Sequence, residues 1–157
     1  LTQSVAFPSG ADNVTIAGGH FKRHNDGSGS IFVLGSTNDD CVFRDGVYEV
    51  PDSVSAADVS CIAITSAERC RIYNNIFNGS RGTSALYGIV ALASTAYSHV
   101  YDNQFIGTVD AGSFISIRSA TFSVVTDNIC KGKADVGIVF GSGGTCNGHW
   151  HIPRRQY

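Results

Sequence analysis

Charged side chains are scarce in this chain of 157 residues: they make up 15% of it, against about 25% in an average domain. The deficit argues against a long solvated helix, a coiled coil or a disordered tail. The charges also nearly balance, because 11 Lys and Arg residues face 13 Asp and Glu residues and the formal net charge is −2. The basic excess that phosphate binding requires is missing, so nucleic acid is a poor candidate partner.

Long apolar runs are missing as well. No stretch of about 18 apolar residues occurs, and no basic-then-apolar leader opens the sequence. We therefore expect neither a membrane span nor an intact signal peptide.

Cysteine spacings typical of metal sites are absent, since the sequence has no CxxC and no Cys/His pattern of the zinc type. The number of cysteines is odd, which argues against a closed disulfide framework. We interpret the thiols as buried, small apolar side chains, and we expect no metal and no cofactor. The five residues are Cys41, Cys61, Cys70, Cys130 and Cys146.

What the chain does contain is 18 glycines and 43% hydrophobic side chains, a mixture that suits one soluble globular domain. Within it, similar segments recur. Each begins with a β-rich run that contains an inward aliphatic residue, the first anchor. A second apolar anchor follows eight residues after the first, and a third follows five residues after the second. The runs are FVLGS, IAITS, VALAS, ISIRS and IVFGS, beginning at Phe32, Ile62, Val90, Ile115 and Ile138. The second anchors are Val42, Ile72, Val100 and Val125, and the third are Val47, Phe77, Phe105 and Cys130.

The return from the third anchor to the next run varies in length, taking 15, 13, 10 and 8 residues. Constant spacing in two segments and variable length in a third predict stacked coils, because strands must keep register with the coil below whereas an outer loop need not. Alternating apolar residues within the runs, such as Ile62 and Ile64, indicate strands rather than helices. We therefore predict an all-β solenoid that is almost free of helix.

Stacked coils would place like residues in vertical files, about 4.8 Å apart. One such file consists of serines that follow the runs, and we expect their hydroxyls inside the wall. A second file lies at a bend, where asparagine tolerates the left-handed conformation and its amide can bond along the axis. We interpret this second file as a structural ladder rather than a catalytic set. The serines are Ser36, Ser66, Ser94, Ser119 and Ser142, and the bend residues are Asp45, Asn75, Asn103 and Asn128.

The segments RIYNNIFNG, HVYDNQFIG and VVTDNICKG share an aliphatic residue, an asparagine bend and a second inward residue. On these motifs the chain resembles the right-handed parallel β-helix family, which includes pectin and pectate lyases and phage tailspikes. We accordingly expect a right-handed parallel β-helix of five to six coils over residues 13–148. A lead-in would precede it over residues 1–12, and a cap or linker would follow over residues 149–157.

The residues next to the second anchors are predicted to face outwards. Phe43, Tyr73 and Tyr101 would then form an aromatic strip, with Arg71 and His99 beside it. Flat aromatic faces near charged groups suit a sugar chain. We predict that all of these residues except Phe43 bind carbohydrate. The strip is equally suited to a subunit interface.

A further outward file at the bend would contain Arg44, Asn74, Asp102 and Asp127. Asp102 and Asp127 would lie on adjacent coils, about 5 Å apart at the backbone. Retaining glycosidases use two carboxyl groups at about that separation. The two aspartates are therefore our candidate catalytic residues, although carboxylates at such a turn serve more often in hydration and turn formation.

Other polar clusters have ordinary explanations. Glu68 and Arg69 would lie level with Asp39 and Asp40 of the previous coil and could bind substrate, but a surface ion pair is the simpler interpretation. No coil supplies several carboxylates at neighbouring outward positions, and Arg118 has no acidic neighbours, so a calcium-dependent lyase mechanism does not carry over.

Two segments lie outside the regular pattern. The longest return loop, which carries Asp52 and Asp58, could wall a cleft. The C-terminal HWHIPRRQY could cap the open end of the solenoid, and its Trp150 could stack on a sugar.

Together with the resemblance, these patterns predict a tailspike-like module of a phage virion tail. It would recognise a bacterial surface polysaccharide and, if it is an enzyme, depolymerise it as a glycoside hydrolase. It would act as a homo-oligomer, and the resemblance to tailspikes implies a trimer. One alternative is a non-catalytic stalk or trimerisation segment of a viral fibre. Another is a secreted polysaccharide lyase or hydrolase.

Overall fold

A computed structural model describes residues 5–23, 30–50, 60–78, 88–106, 113–131 and 136–141. Within these ranges the chain forms β-strands and no helix, and the strands belong to three sheets, which we label A, B and C. Sheet A comprises β1 (Val5–Ala6), β4 (Phe32–Leu34), β7 (Ile62–Thr65), β10 (Gly88–Ala93), β13 (Ser113–Arg118) and β16 (Val136–Gly141). Sheet B comprises β2 (Thr15–Ala17), β5 (Val42–Arg44), β8 (Arg71–Tyr73), β11 (His99–Tyr101) and β14 (Val124–Thr126). Sheet C comprises β3 (His20–Lys22), β6 (Val47–Glu49), β9 (Ile76–Asn78), β12 (Gln104–Phe105) and β15 (Ile129–Cys130).

Each strand pairs in parallel with the strand three places further along the chain, so β5 lies between β2 and β8, and β6 lies between β3 and β9. Every coil thus gives one strand to each sheet. The protein is an all-β parallel β-helix, which confirms the predicted fold class. The stack makes about four turns, slightly fewer than the five to six coils expected.

The interior consists of files of inward side chains, one above another. In sheet A the file is aliphatic, and in sheet C it is a stack of aromatic rings whose neighbouring centroids lie 5.2, 5.0 and 5.1 Å apart. Burial of one such side chain contributes about 1.5–3 kcal/mol, so these files hold successive coils together. The fully buried sheet A residues include Ile62, Val90 and Ile115, and the aromatic stack comprises Phe21, Tyr48, Phe77 and Phe105.

The register of the second described coil differs from the prediction by one residue. Phe43, not Val42, lies beside Ile72, and Tyr48, not Val47, lies beside Phe77. Two of the predicted anchors are therefore wrong. The cause is one extra residue between the first and second strands of this coil, and the shift buries two aromatic rings, both 0% exposed, in place of two valines.

The hydrogen-bonded asparagine ladder is confirmed for three coils, but the left-handed conformation expected of these asparagines is wrong, because the residue before each of them takes it. The Oδ1 atom of Asn103 accepts hydrogen bonds from the backbone N–H and the Nδ2 of Asn75, each at 3.0 Å, and Asn128 Oδ1 does the same for Asn103 at 3.0 and 2.9 Å. The prediction for Asp45 is wrong, because Gly46 takes this place and its N–H donates to Asn75 Oδ1 at 2.9 Å. A Cβ at Gly46 would lie 2.9 Å from the Tyr48 ring, so the aromatic stack leaves no room for an asparagine there.

Left-handed backbone conformations mark three corners of each coil. Every described non-glycine residue with positive φ belongs to one of three files, so the bends repeat from coil to coil. Corner 1 comprises Ser66, Ser94 and Ser119. Corner 2, which precedes sheet B, comprises Asn13, Asp40, Arg69, Tyr97 and Phe122. Corner 3, between sheets B and C, comprises Asp45, Asn74, Asp102 and Asp127.

The predicted position of the serine file inside the wall is wrong. Ser66, Ser94 and Ser119 have φ values of 62, 50 and 51° and form a bend, where Ser94 and Ser36 are exposed. Ser142 lies outside the described residues. Hydroxyls in this file therefore form a corner rather than an internal ladder.

An internal donor file does occur just before sheet B, and thiols take part in it. Each member donates to the carbonyl two residues earlier, at 3.6, 3.5, 3.4 and 3.3 Å. Because two thiols are followed by two hydroxyls that make the same hydrogen bond, the two cysteines serve as structural residues. The members are Cys41, Cys70, Ser98 and Ser123.

The expected burial of the thiols holds for Cys41, Cys61 and Cys70, and burial raises the pKa of Cys70 to about 12. Cys130 is exposed, contrary to expectation, because it lies on β15, the last strand of sheet C. Cys146 lies outside the described residues. Among the residues that the structure does describe, no helix has the length and hydropathy needed to span a membrane.

Candidate functional site

The outer face of sheet B brings together most of the predicted site residues. Because Ile72 and Val100 face the core, fully buried, their strand neighbours point outwards. Strand pairing aligns His99 with Arg71 and Tyr101 with Tyr73. Sheet B thus places these four side chains in two adjacent outward files, as predicted.

The two tyrosines stack on each other. Their ring centroids are 4.9 Å apart and their planes differ by 12°, and the His99 ring lies 4.3 Å from the Tyr101 ring. Phe43 does not belong to this strip, because the one-residue shift turns it into the core. Arg44 occupies the corresponding outward place beside Tyr73 and forms an ion pair with Asp45.

His99 is half-buried beside the file of tyrosines. Its Nε2 lies 3.3 Å from Thr126 Oγ1 on the next coil. Burial lowers the pKa of His99 below its usual value, and the charges of Asp102 and Asp127 oppose this only in part. The imidazole is therefore neutral at pH 7 and can both donate and accept a hydrogen bond.

Arg71 differs from the other arginines on this side of the solenoid. Arg44 pairs with a carboxylate, and Arg69 pairs with three, whereas Arg71 is exposed and forms no ion pair with any residue that the structure describes. An exposed guanidinium beside tyrosine rings has its donors available for hydroxyl or carboxylate groups of a ligand.

The predicted ion pair at corner 2 is confirmed. Arg69 binds Asp40 through two bonds of 2.9 Å and reaches Asp39 and Glu68 at 3.2 Å each. The hydrogen bond from Arg69 lowers the pKa of Asp40. The cluster links neighbouring coils and engages four of the five N–H donors of Arg69, so its role is structural.

Asp102 and Asp127 occupy adjacent coils at corner 3, with φ values of 53 and 54°. Asn74 belongs to the same corner file, as predicted. The prediction for Arg44 is wrong, because the register shift places Asp45 in this file instead. Both aspartates are exposed. A general acid for glycoside cleavage usually works in a desolvated setting, and this corner offers none within the described residues. The pair suits contact with sugar hydroxyls better than proton transfer.

Two residues that the sequence analysis did not select border the same face. Tyr97 and Phe122, at corner 2, are among the most exposed large hydrophobic residues described, and their rings stack at a centroid distance of 5.2 Å. The corner file to which they belong also contains Asn, Asp and Arg, so it has no shared side-chain type by which a sequence pattern could reveal it.

Several predicted elements lie outside the described residues. These are Trp150 with the rest of the C-terminal segment 149–157, and the loop residues Asp52 and Asp58. Within the described ranges, no group of three or more His, Cys, Asp or Glu side chains is arranged to hold a metal ion.

Fold and face together define a parallel β-helix protein whose second sheet presents stacked tyrosines, a neutral histidine and an arginine that has no ion pair among the described residues. No family model, no curated protein and no solved structure matches the chain.

Proposed function

We propose that this protein is a polysaccharide-binding β-helix module and that the outer face of sheet B is its binding face. The observation that carries the proposal is the stacked pair Tyr73 and Tyr101, which has the half-buried ring of His99 and the exposed guanidinium of Arg71 beside it. Aromatic rings provide apolar surface for the C–H groups of a sugar, and the neighbouring donors and acceptors bind its hydroxyls.

The proposed ligand is a bacterial surface polysaccharide, and the proposed setting is a phage tailspike within the pectin-lyase-like superfamily, in a virion tail and as a trimer. The parallel β-helix is compatible with this role, and the asparagine-bend motifs support the fold on which it depends.

A glycan panel tests the binding proposal. We expect the wild-type protein to bind at least one bacterial capsular or lipopolysaccharide glycan, and the double variant Tyr73→Ala/Tyr101→Ala to lose that binding. The double variant Ile106→Ala/Ile129→Ala is the matched control, since it removes exposed apolar side chains near sheet C. Binding that survives the tyrosine variant and disappears in the control would place the ligand elsewhere.

Catalysis by Asp102 and Asp127 is tested separately, by scoring new reducing ends on the glycan that is bound. If the pair cleaves it as in a retaining glycosidase, Asp102→Asn and Asp127→Asn will each abolish product formation and leave binding intact. Binding without cleavage would make the protein a recognition module.

A structural stalk is the second candidate, favoured by the exposed apolar side chains of Tyr97 and Phe122, which side-by-side association would bury. Light scattering tests the stalk, because its assembly must depend on Tyr97 and Phe122. A stalk requires a stable oligomer whose mass falls when these two residues are replaced, whereas a strict monomer contradicts it.

A further inference from the structure

Tyr97 and Phe122 form an exposed aromatic pair beside sheet B. Their side chains are 57% and 53% exposed, and their ring planes differ by 9°. Both have left-handed backbones, with φ values of 55 and 50°, which bulky side chains rarely adopt. Glycine would satisfy this corner without strain. Neither core packing nor backbone geometry therefore calls for aromatic rings at these two positions.

The position of the pair relates it to the proposed binding face. Tyr97 precedes β11 by two residues, and Tyr101 ends it, with the outward His99 between them. Because Tyr97 lies at a left-handed corner, the chain from Tyr97 to Tyr101 spans less than the roughly 13 Å of four fully extended residues. Two aromatic pairs thus border the same stretch of sheet B, one on each side. One pair is Tyr97 and Phe122, and the other is Tyr73 and Tyr101.

We propose that Tyr97 and Phe122 form a second aromatic platform, and that one glycan chain lies parallel to the strands of sheet B and contacts both pairs. The span requires an oligosaccharide rather than a single sugar, with its middle over His99. This inference rests on the proposed function and adds to it the direction of the chain, its minimum length and two binding residues.

The test compares short and long fragments of one glycan. The probes are fluorescently labelled disaccharides and hexasaccharides cut from the bacterial polysaccharide that the wild-type protein binds in the panel. We expect Tyr97→Gly and Phe122→Gly to weaken hexasaccharide binding by about tenfold each, as the loss of one aromatic contact does. Disaccharide binding on the tyrosine pair should not change.

Thermal unfolding of the same variants separates a binding role from a structural one. Because glycine relieves the left-handed conformation, we expect the midpoint to stay unchanged or to rise. Asn13→Gly is the matched control: Asn13 belongs to the same corner file, with a φ of 59°, and its replacement should leave both probes bound as before.

Four results would overturn the inference. Hexasaccharide affinity that is unchanged in both glycine variants, while Tyr101→Ala abolishes it, would refute the second platform and leave the proposed function standing. A clear drop in the unfolding midpoint would show that the pair is structural, and loss of self-association would show that it is a subunit contact. If the wild-type protein binds no glycan in the panel, the proposed function fails, and this inference fails with it.

Discussion

Gly46 occupies the bend position that Asn75 and Asn103 fill in later coils. A Cβ at Gly46 would lie 2.9 Å from Cε2 of the Tyr48 ring, and that ring is stacked between Phe21 and Phe77. Since the stack cannot easily move, one aromatic side chain decides which residue the neighbouring bend can accept.

Replacement of Gly46 by alanine should therefore destabilise the protein. Overpacking of a filled core typically costs about 1–3 kcal/mol, and we expect a loss of that size in the free energy of unfolding, measured with denaturant. Gly35→Ala serves as the control, because the nearest atom to a Cβ there lies 3.9 Å away. Equal stability of the two variants would show that the aromatic stack gives way.

Asn103 is the central member of the ladder and is fully buried. Its Nδ2 group donates to the carbonyls of Ile72 and Tyr101, each at 2.9 Å, and to Asn128. Asn103→Asp replaces these donors with an acceptor that faces other oxygens. We expect it to lower the free energy of unfolding by roughly 2–4 kcal/mol.

The control for Asn103→Asp is Asn13→Asp. Asn13 is exposed at corner 2, where the next coil itself carries Asp40, so the change should stay within about 0.5 kcal/mol. Comparable denaturation midpoints for Asn103→Asp and Asn13→Asp would mean that the ladder contributes little to stability.

At the level of strands and corners, sequence reasoning succeeded where one residue type carries the function of a position. Asn75, Asn103 and Asn128 repeat because an amide both donates and accepts along the axis. The left-handed bend itself belongs to the residues before them, at corner 3. Tyr97 and Phe122 escaped detection because their corner constrains the backbone and not the side chain. The register of β5 and β6 was missed because a single inserted residue is invisible until packing shows which neighbour is buried.

His99 on β11 is the titratable group at the centre of the proposed face. It is surrounded by Tyr101, Thr126 and Arg71 and by the carboxylates of Asp102 and Asp127. Because burial lowers its pKa in the folded state, the unfolded chain binds this proton more readily. Stability should therefore fall as the pH drops below the unfolded value of about 6.5.

The variant His99→Gln isolates this contribution. Denaturation midpoints measured from about pH 7.5 down to about pH 5 should decline less steeply in the variant than in the wild-type protein. The difference between the two curves removes the contribution of the other histidines. Parallel curves would contradict the lowered pKa.

Across the whole molecule, the fold and the proposed site depend on the same stacking. The binding face takes residues from three successive coils, β8, β11 and β14 with the corners beside them, so no single repeat contains it. Each stacked coil contacts only its neighbours. The geometry of the binding face therefore depends on the contacts between adjacent coils. The stack and the choice of the outer face of sheet B both follow from the repeat spacing, whereas the place of Arg44 beside Tyr73 and the stacking of Tyr97 on Phe122 required the structure.

Hydroxyl-radical footprinting with and without the bound bacterial polysaccharide tests that choice most directly. The account predicts that the glycan reduces oxidation of Tyr73, Tyr101 and His99 and leaves the exposed Ile106 and Ile129 near sheet C unchanged. Reduced oxidation at Ile106 and Ile129, with Tyr73, Tyr101 and His99 still fully labelled, would contradict it.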